Sequence, residues 1–368
     1  GRCSAHKVFL RQAPVLMTNM PQCEVSELQK WRFLGLAMVT IAAVYFLILV
    51  GGTVRASGAG MGCPDWPLCF GQFIPPTSEA QLPPDWRVTY ADRGYDTADF
   101  DPVKTWTEYV NRLVGVVIGL LVMSTFVAAW PYRRVDPVVF WSAFGGFFFV
   151  GLNGWIGSQV VASNLRPVMI SMHMLLAFFV QMFLIYAAVR AWAPSLGGPE
   201  PTNGLRQLPG WFKTLVLWTL FALTVQIFLG IQIRESVDLI SRFATDLNRD
   251  QWIDAVPWIF YVHRSFSWVI LGLCGWLLWR VYQSPLRHSS AGPALHILFW
   301  LVVFEMLLGA SLNYLGFPRV AQPVHLLAAH LIFGLLWFLW ALLQVSQRRP
   351  VSANRAIPQA SVASSISS

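Results

Sequence analysis

A chain of 368 residues in which 55% are hydrophobic and only 12% charged, with 18 Trp and 26 Phe, has too few polar side chains to cover a soluble globule. That composition belongs to a polytopic membrane protein, and membrane lipid is its first partner. The formal net charge of +8 would suit nucleic acid only if the bases gathered in a patch, but they are spread over short loops, so no nucleic-acid partner is expected.

In chain order, residues 1–30 read as a polar, disordered tail. Eight stretches then follow that could cross about 30 Å of hydrocarbon, at roughly 32–52, 107–130, 137–162, 167–192, 211–233, 256–282, 292–315 and 322–346. The first of them has basic residues before it and small residues after it, as a secretion signal has, but it is too long for a signal's apolar core and reads as an uncleaved anchor. The expected architecture is therefore all-α, with eight transmembrane helices in two four-helix halves: 31–193, carrying an outer loop at 53–106, and 211–347. A linker at 194–210 joins the halves, and a tail at 348–368 follows the second.

With the N-terminus inside, the inner segments hold 15 of the 26 Lys and Arg, including Arg32, Arg133, Arg134, Arg190, Arg280 and Arg287. The loops at 53–106 and 234–255 are acidic, from Asp65 through Asp101 in the first and from Glu235 through Asp254 in the second. Both termini, and the linker, are accordingly placed in the cytoplasm. Cys63 and Cys69 lie in CPDWPLC on the outer side, where oxidising conditions permit a disulfide closing a small loop. Two independent thiols are the alternative, disfavoured because exposed free thiols are unusual there. Cys3, Cys23 and Cys274 read as unpaired.

The chain repeats itself. NGWIGSQVVASNLRPVMISMHMLLA (153–177) aligns without a gap on EMLLGASLNYLGFPRVAQPVHLLAA (305–329), matching Gly157 with Gly309 and His173 with His325. Upstream, TEYVNR matches FYVHR, so that Asn111 stands where His263 does, and each lies 62 residues before its partner histidine. GGTVRAS (51–57) likewise resembles GIQIRES (230–236), pairing Arg55 with Arg234. Four spans per half is an even number, so the copies run parallel and are related by a pseudo-two-fold axis along the membrane normal.

His263 and His325 open two helices that descend from the outer side, which places two imidazoles at one depth on facing helices of a four-helix bundle. That is the arrangement for bis-His haem ligation, and ionisable groups at such depth are costly unless used. One such His would more often simply hydrogen-bond a neighbouring helix; two in register, echoed by His173, favour haem. His330 is five positions past His325 on another face and reads as structural, while His6, His288 and His296 lie away from this layer. Arg55, Arg112, Arg234 and Arg264 fall near the same level, where guanidinium groups suit haem propionates; snorkelling to the interface accounts for them equally well.

GGTVRASGAGMGCPDWPLC, WTEYVNR, HMLLA, YVHR and HLLAAH together resemble the haem A synthase family over residues 35–347. The resemblance implies haem b held in the second half by His263 and His325. It also implies that the first half takes haem O as substrate and oxidises a ring methyl to a formyl group, by way of an alcohol, to make haem A for cytochrome oxidase. Haem O synthase (protohaem farnesyltransferase) would supply the substrate, and the setting would be the cell inner (plasma) membrane with the haem sites near the outer face. A homo-oligomer is compatible with the sequence. The family's acid falls on Glu108, one helical turn before Asn111, where the second half has Phe260. A fixed carboxylate there can stabilise positive charge developing on the methyl carbon or accept a proton from water; alternatively, it is a helix-start acid favoured by the macrodipole. The sequence departs from the family in Asn111, which stands where a histidine is usual. An amide is a poor haem ligand, so His173 is expected to hold the substrate iron with the other face open or water-bound. Two other readings compete: a non-catalytic b-type cytochrome relaying electrons from quinone, which would use both halves alike, and a transporter, whose polar breaks would fall at mid-membrane.

Overall fold

The computed structural model describes residues 25–192, 210–243, 246–284, 287 and 291–347, among which all regular structure is helical apart from one isolated bridge between Cys69 and Gln72. The tails before Val25 and after Gln347, nearly all of the 194–210 linker, and Cys3, Cys23, His6 and His288 lie outside the described residues. Eight helices are long and apolar enough to cross a membrane: α1 (Glu27–Ala56), α2 (Pro102–Ala128), α3 (Pro137–Ala162), α4 (Pro167–Trp192), α5 (Gly210–Phe243), α6 (Ile259–Tyr282), α7 (Ala291–Tyr314) and α8 (Ala321–Gln347).

Local chemistry sets the ends. Ser26 and Gln29 form a capping box that starts α1 before the apolar run begins. Asp101 accepts from the N–H groups of Val103 and Lys104, with Pro102 at the first helical position, so α2 begins five residues earlier than the apolar stretch at 107. The largest departure is in α5, expected to end near 233. It continues to Phe243, so Arg234 and Asp238 sit on a helix, not in a loop. Their i,i+4 ion pair at 2.9 Å supports the extension, and Val237 seats it in an apolar cluster with Ile253, Val256 and Phe317.

Each half closes on itself: α1 packs on α2, α2 on α3, α3 on α4 and α4 on α1, and the second half repeats the ring from α5 to α8. The halves meet where α4 and α8 cross and where α1 lies against α8. Phe178 and His330 stack face to face at that crossing, with centroids 3.9 Å apart. These residues are equivalent in the repeat, since 330 − 178 and 263 − 111 are both 152, so the pair sits on the pseudo-two-fold axis. His330 is therefore a packing residue at the seam. His296 is bonded locally at the other end of the molecule, to the Gly292 carbonyl at 3.1 Å and to the Tyr282 hydroxyl. Cys274 is buried and unpaired.

Burial is uneven along the helices. The halves of the helices away from the loops are packed solid, for example Leu336, Leu342 and Leu343 of α8 against Leu295 and Leu298 of α7 and Leu277 of α6. Toward the loop end, no side chain is buried in 45–51, 109–117, 147–155 or 162–175, nor in 224–230, 257–269, 303–316 or 324–327. In both halves the layer at the loop end is thus less tightly packed than the rest. The four candidate ligand positions lie in it.

A Cβ on Gly52 of α1 would stand 3.0 Å from backbone and side-chain carbons of Pro323 on α8, whereas one on Gly35 meets nothing within 4 Å. Gly52→Leu should therefore lower thermal stability in detergent by the overpacking cost of about 1–3 kcal/mol. Gly35→Leu should be neutral or stabilising, and a matched pair of melting curves checks both.

Candidate functional site

Four hairpins build the layer in the same way. A Cβ on Gly157 would lie 3.2 Å from Cε1 of His173, one on Gly230 3.2 Å from Cε1 of His263, one on Gly309 3.5 Å from Cε1 of His325, and one on Gly51 3.9 Å from Oδ1 of Asn111. Each candidate ligand position therefore packs the edge of its side chain onto a glycine of the preceding helix. A larger residue would push the ring out of place. The four glycines are themselves repeat-equivalent, Gly51 with Gly230 and Gly157 with Gly309.

The ring nitrogens divide their work. Nδ1 of His173 is 3.1 Å from the Asn153 carbonyl oxygen, which can only accept, so that nitrogen carries the proton. Nδ1 of His325 lies 3.1 Å from Oε1 of Glu305, the repeat counterpart of Asn153. In His173, with Nδ1 bonded to the preceding helix, Nε2 remains as the free lone pair, the usual division in a metal-bound histidine, whereas Nδ1 of His325 touches Glu305 without an aligned hydrogen bond. His263 is held by its backbone, whose carbonyl accepts from Gln226 Nε2 at 3.0 Å. Among the described residues, no three His, Cys, Asp or Glu gather as a site for a bare metal ion. Paired imidazoles suit an iron that brings its own four ring nitrogens.

The first-half loop is clamped to α2. Glu108 is 3% exposed and accepts from the Cys63 N–H at 2.8 Å and from both Nε (3.2 Å) and Nη2 of Arg112. Arg112 also donates to the carbonyls of Asp65 (2.7 Å), Leu68 (2.9 Å) and Cys63 (3.1 Å). These five bonds engage every nitrogen of the guanidinium within the protein. Cys63 and Cys69 form a disulfide inside this wrap, and Gly62 lets the loop approach so closely that a Cβ there would enter the Lys104 carbonyl. Phe70 centres the loop's own core, edge-on to Trp86, Tyr90, Tyr95 and Phe100. Burial first and Asp65 second push the Tyr90 hydroxyl up to about 12, and burial raises Tyr95 as well. Both phenols stay protonated in the folded loop after they would ionise in an unfolded chain, so their contribution holds below pH 10 and is lost as pH rises toward 12.

The remaining arginines are placed differently. Arg55 at the end of α1 and Arg234 on α5 share one carboxylate, Asp238, and Arg234 also reaches Ser171 Oγ (2.9 Å) and the Pro167 carbonyl (3.2 Å) on α4. Arg55, Arg249 and Arg319 line a polar cavity of about 160 Å³ between the halves, where Asp238 is the one acid. Arg249 has its pKa lowered by burial and then by the charges of Arg319 and Arg55. Arg264, the repeat partner of Arg112, is exposed and lies over the rings of Phe260 and Tyr261 at 5.8 and 5.4 Å. Asp238, Glu305 and the four glycines were missed by motif reading, although the gapless alignment already set Glu305 opposite Asn153.

Fold and layer together define a polytopic helical membrane protein in which two related bundles each carry two candidate ligand positions near one end. The chain belongs to the COX15-CtaA family of cytochrome oxidase assembly proteins, whose model matches residues 35–337. It is similar to proteins named heme A synthase: that of Nitrosomonas eutropha at 24% identity over 82% of this chain and 90% of the relative, that of Methylorubrum extorquens at 26% over 89% and 88%, and that of Methylorubrum populi at 29% over 80% and 81%.

Arg112→Lys keeps the charge but cannot reach three carbonyls and a carboxylate at once. Faster proteolysis within 57–101 is expected, with a stability loss of about 1.5–3 kcal/mol, as for a charged hydrogen bond. Thiol labelling of Cys63 and Cys69 in the wild type should require reductant.

Proposed function

We propose that the chain is a haem A synthase, oxidising a methyl group of haem O to a formyl group through an alcohol for use in cytochrome oxidase. What supports this reading is the layer at the loop end of the helices: four repeat-related candidate positions, each seated on a glycine of the preceding helix, with Nδ1 of His173 hydrogen-bonded and Nδ1 of His325 in contact with Glu305, in a chain of this family. His263 and His325 would hold haem b, which when bound supplies one-electron transfer. His173 would hold the iron of the substrate haem O, with Asn111 facing it as a neutral, weakly coordinating group.

The first half also carries an apolar groove of about 730 Å³ between α1 and α2, lined by Leu49, Val50, Trp106 and Val110 among others. It suits the farnesyl group that haem O synthase adds. Arg55 and Arg234, with the arginine-rich cavity beside them, supply the surplus positive charge that propionates need. Arg112 has its donors committed to the loop, and we assign it to holding the loop over the first-half site; Arg264 is left as an outer-surface cation. The positive-inside distribution supports a reading in which the layer lies at the outer face of the inner membrane and both termini are cytoplasmic.

Glu108 has two separable jobs in this scheme. Its oxygens fasten the disulfide loop, and its negative charge lies one turn from Asn111, where it would stabilise positive charge developing on the methyl carbon. A relay cytochrome would use its halves alike, yet Phe260 replaces Glu108 in the second half and fastens its loop by apolar contact.

Coexpression with a haem O synthase and analysis of extracted pigment tests the proposal, since haem A must accumulate and its absence would refute the activity. Replacing His263 or His325 by Ala should abolish a low-spin haem b spectrum. Glu108→Gln keeps an acceptor for the Cys63 N–H while removing charge, so haem O should remain bound and the loop stay protected while haem A formation falls by about 2.7–4 kcal/mol in barrier. A wild-type rate would confine Glu108 to the loop. Asn111→His should turn the haem O-loaded first half six-coordinate and low-spin.

A further inference from the structure

The structure assigns to Glu305 a role that neither the repeat nor the family motif supplies: a positioning residue that accepts the Nδ1 proton of His325 and makes the second-half haem the more strongly donated, lower-potential of the two. This rests on the reading that His263 and His325 hold haem.

Glu305 and Gly309 lie one turn apart on α7 and face His325 together. Oε1 of Glu305 is 3.1 Å from Nδ1, in close contact although the N–H is not aligned on it for a hydrogen bond, so a small turn of the carboxylate completes the bond, while Gly309 leaves room for Cε1. The glutamate side chain is only 16% exposed, and its second oxygen, Oε2, is buried without a hydrogen-bond partner. Among the described residues, His325 is the one ion-pair partner of Glu305, and no salt bridge joins it to a Lys or Arg. A carboxylate at this depth in a membrane bundle is expensive and is retained where it is used. In the first half the same backbone plan lacks the acid, because Asn153 occupies the equivalent position and grips His173 through its main-chain carbonyl alone.

The chemical consequence follows from what sits behind the ligand. A carbonyl oxygen fixes the tautomer and orientation of an imidazole. A carboxylate does so too, and in addition draws the Nδ1 proton toward itself, giving the ring imidazolate character and raising its donor strength at Nε2. A stronger donor favours the ferric over the ferrous state of the iron, which lowers the reduction potential. The two halves would then differ at both shells. The first has Asn111 and a neutral grip on His173, suited to a substrate iron that must come and go. The second has His263 and a carboxylate-backed His325, suited to a resident electron donor.

The test is a redox titration of the purified full-length protein carrying haem b, comparing the wild type with Glu305→Gln. Gln preserves size and an acceptor oxygen but removes the charge. Retention of the low-spin six-coordinate spectrum is expected, with the reduced-to-oxidised ratio at the wild-type midpoint rising roughly tenfold, equivalent to a shift of about 59 mV to more positive potential for one electron. An unchanged midpoint with haem bound would overturn the assignment. If the Gln variant loses haem, Glu305→Asp and Glu305→Ala decide. Recovery of haem and a near-wild-type midpoint in Asp but not Ala supports the role of the charge, whereas equal haem loss in both reduces Glu305 to packing and overturns the proposal. Failure of the haem reading itself gives a different result: wild-type protein would show no low-spin haem spectrum that His325→Ala abolishes.

Discussion

The contact on which the rest of this molecule depends is that between a ligand-position side chain and a glycine on the preceding helix. Without a Cβ, two helices of a hairpin come close enough for an imidazole edge to rest on backbone, and the ring is then fixed by packing before any hydrogen bond forms. His173 on Gly157, His263 on Gly230 and His325 on Gly309 all use the device. The burial pattern shows a less tightly packed layer at the loop end of the helices and a solid one at the other end. A packed core throughout would give a more stable bundle with no room for a porphyrin. The inner Leu-rich half supplies the stability, so the outer half can be left open.

Symmetry explains placement, and its breaking explains function. The pseudo-two-fold axis passes through the Phe178–His330 stack, so that the repeat gives a face of one ring to the face of the other. Departures from the repeat concentrate around the layer. Asn111 replaces His263, Asn153 replaces Glu305, and the Glu108–Arg112 clamp replaces the apolar seat of Phe260. The first half thus gains a buried, charged fastening for a long disulfide loop and loses one imidazole. The second keeps two imidazoles and gains a carboxylate behind one of them.

The cluster at Asp238 shows how arginines change their meaning with context. Arg55 and Arg234 are repeat-related and could have acted separately on two propionates, but the extension of α5 brings Asp238 between them and ties the two halves at the outer surface. The surplus of guanidinium charge then falls on Arg249 and Arg319 beside the shared carboxylate. Such buried or half-buried ion pairs add little net stability once desolvation is counted, so their value here is in fixing where positive charge stands relative to the layer.

Sequence alone determined the class of this protein, the eight spans and the repeat, and it singled out the candidate ligand positions, because hydrophobic length and fixed 62-residue spacing are local or periodic properties that survive without coordinates. It also identified Cys63 and Cys69 as a candidate pair, which the structure closes as a disulfide. What it could not decide was the partner of each charged group. Arg112 and Arg264 occupy equivalent positions, yet one is wrapped by three loop carbonyls and a buried acid while the other lies exposed over two rings. Glu305 was visible as a residue but silent as a function until α7 and α8 were packed and its oxygen met Nδ1 of His325. The physical reason is that a side chain's protonation, orientation and chemistry are set by what lies within about 4 Å of it, and in a helical membrane protein those neighbours come from other helices, tens to hundreds of residues away.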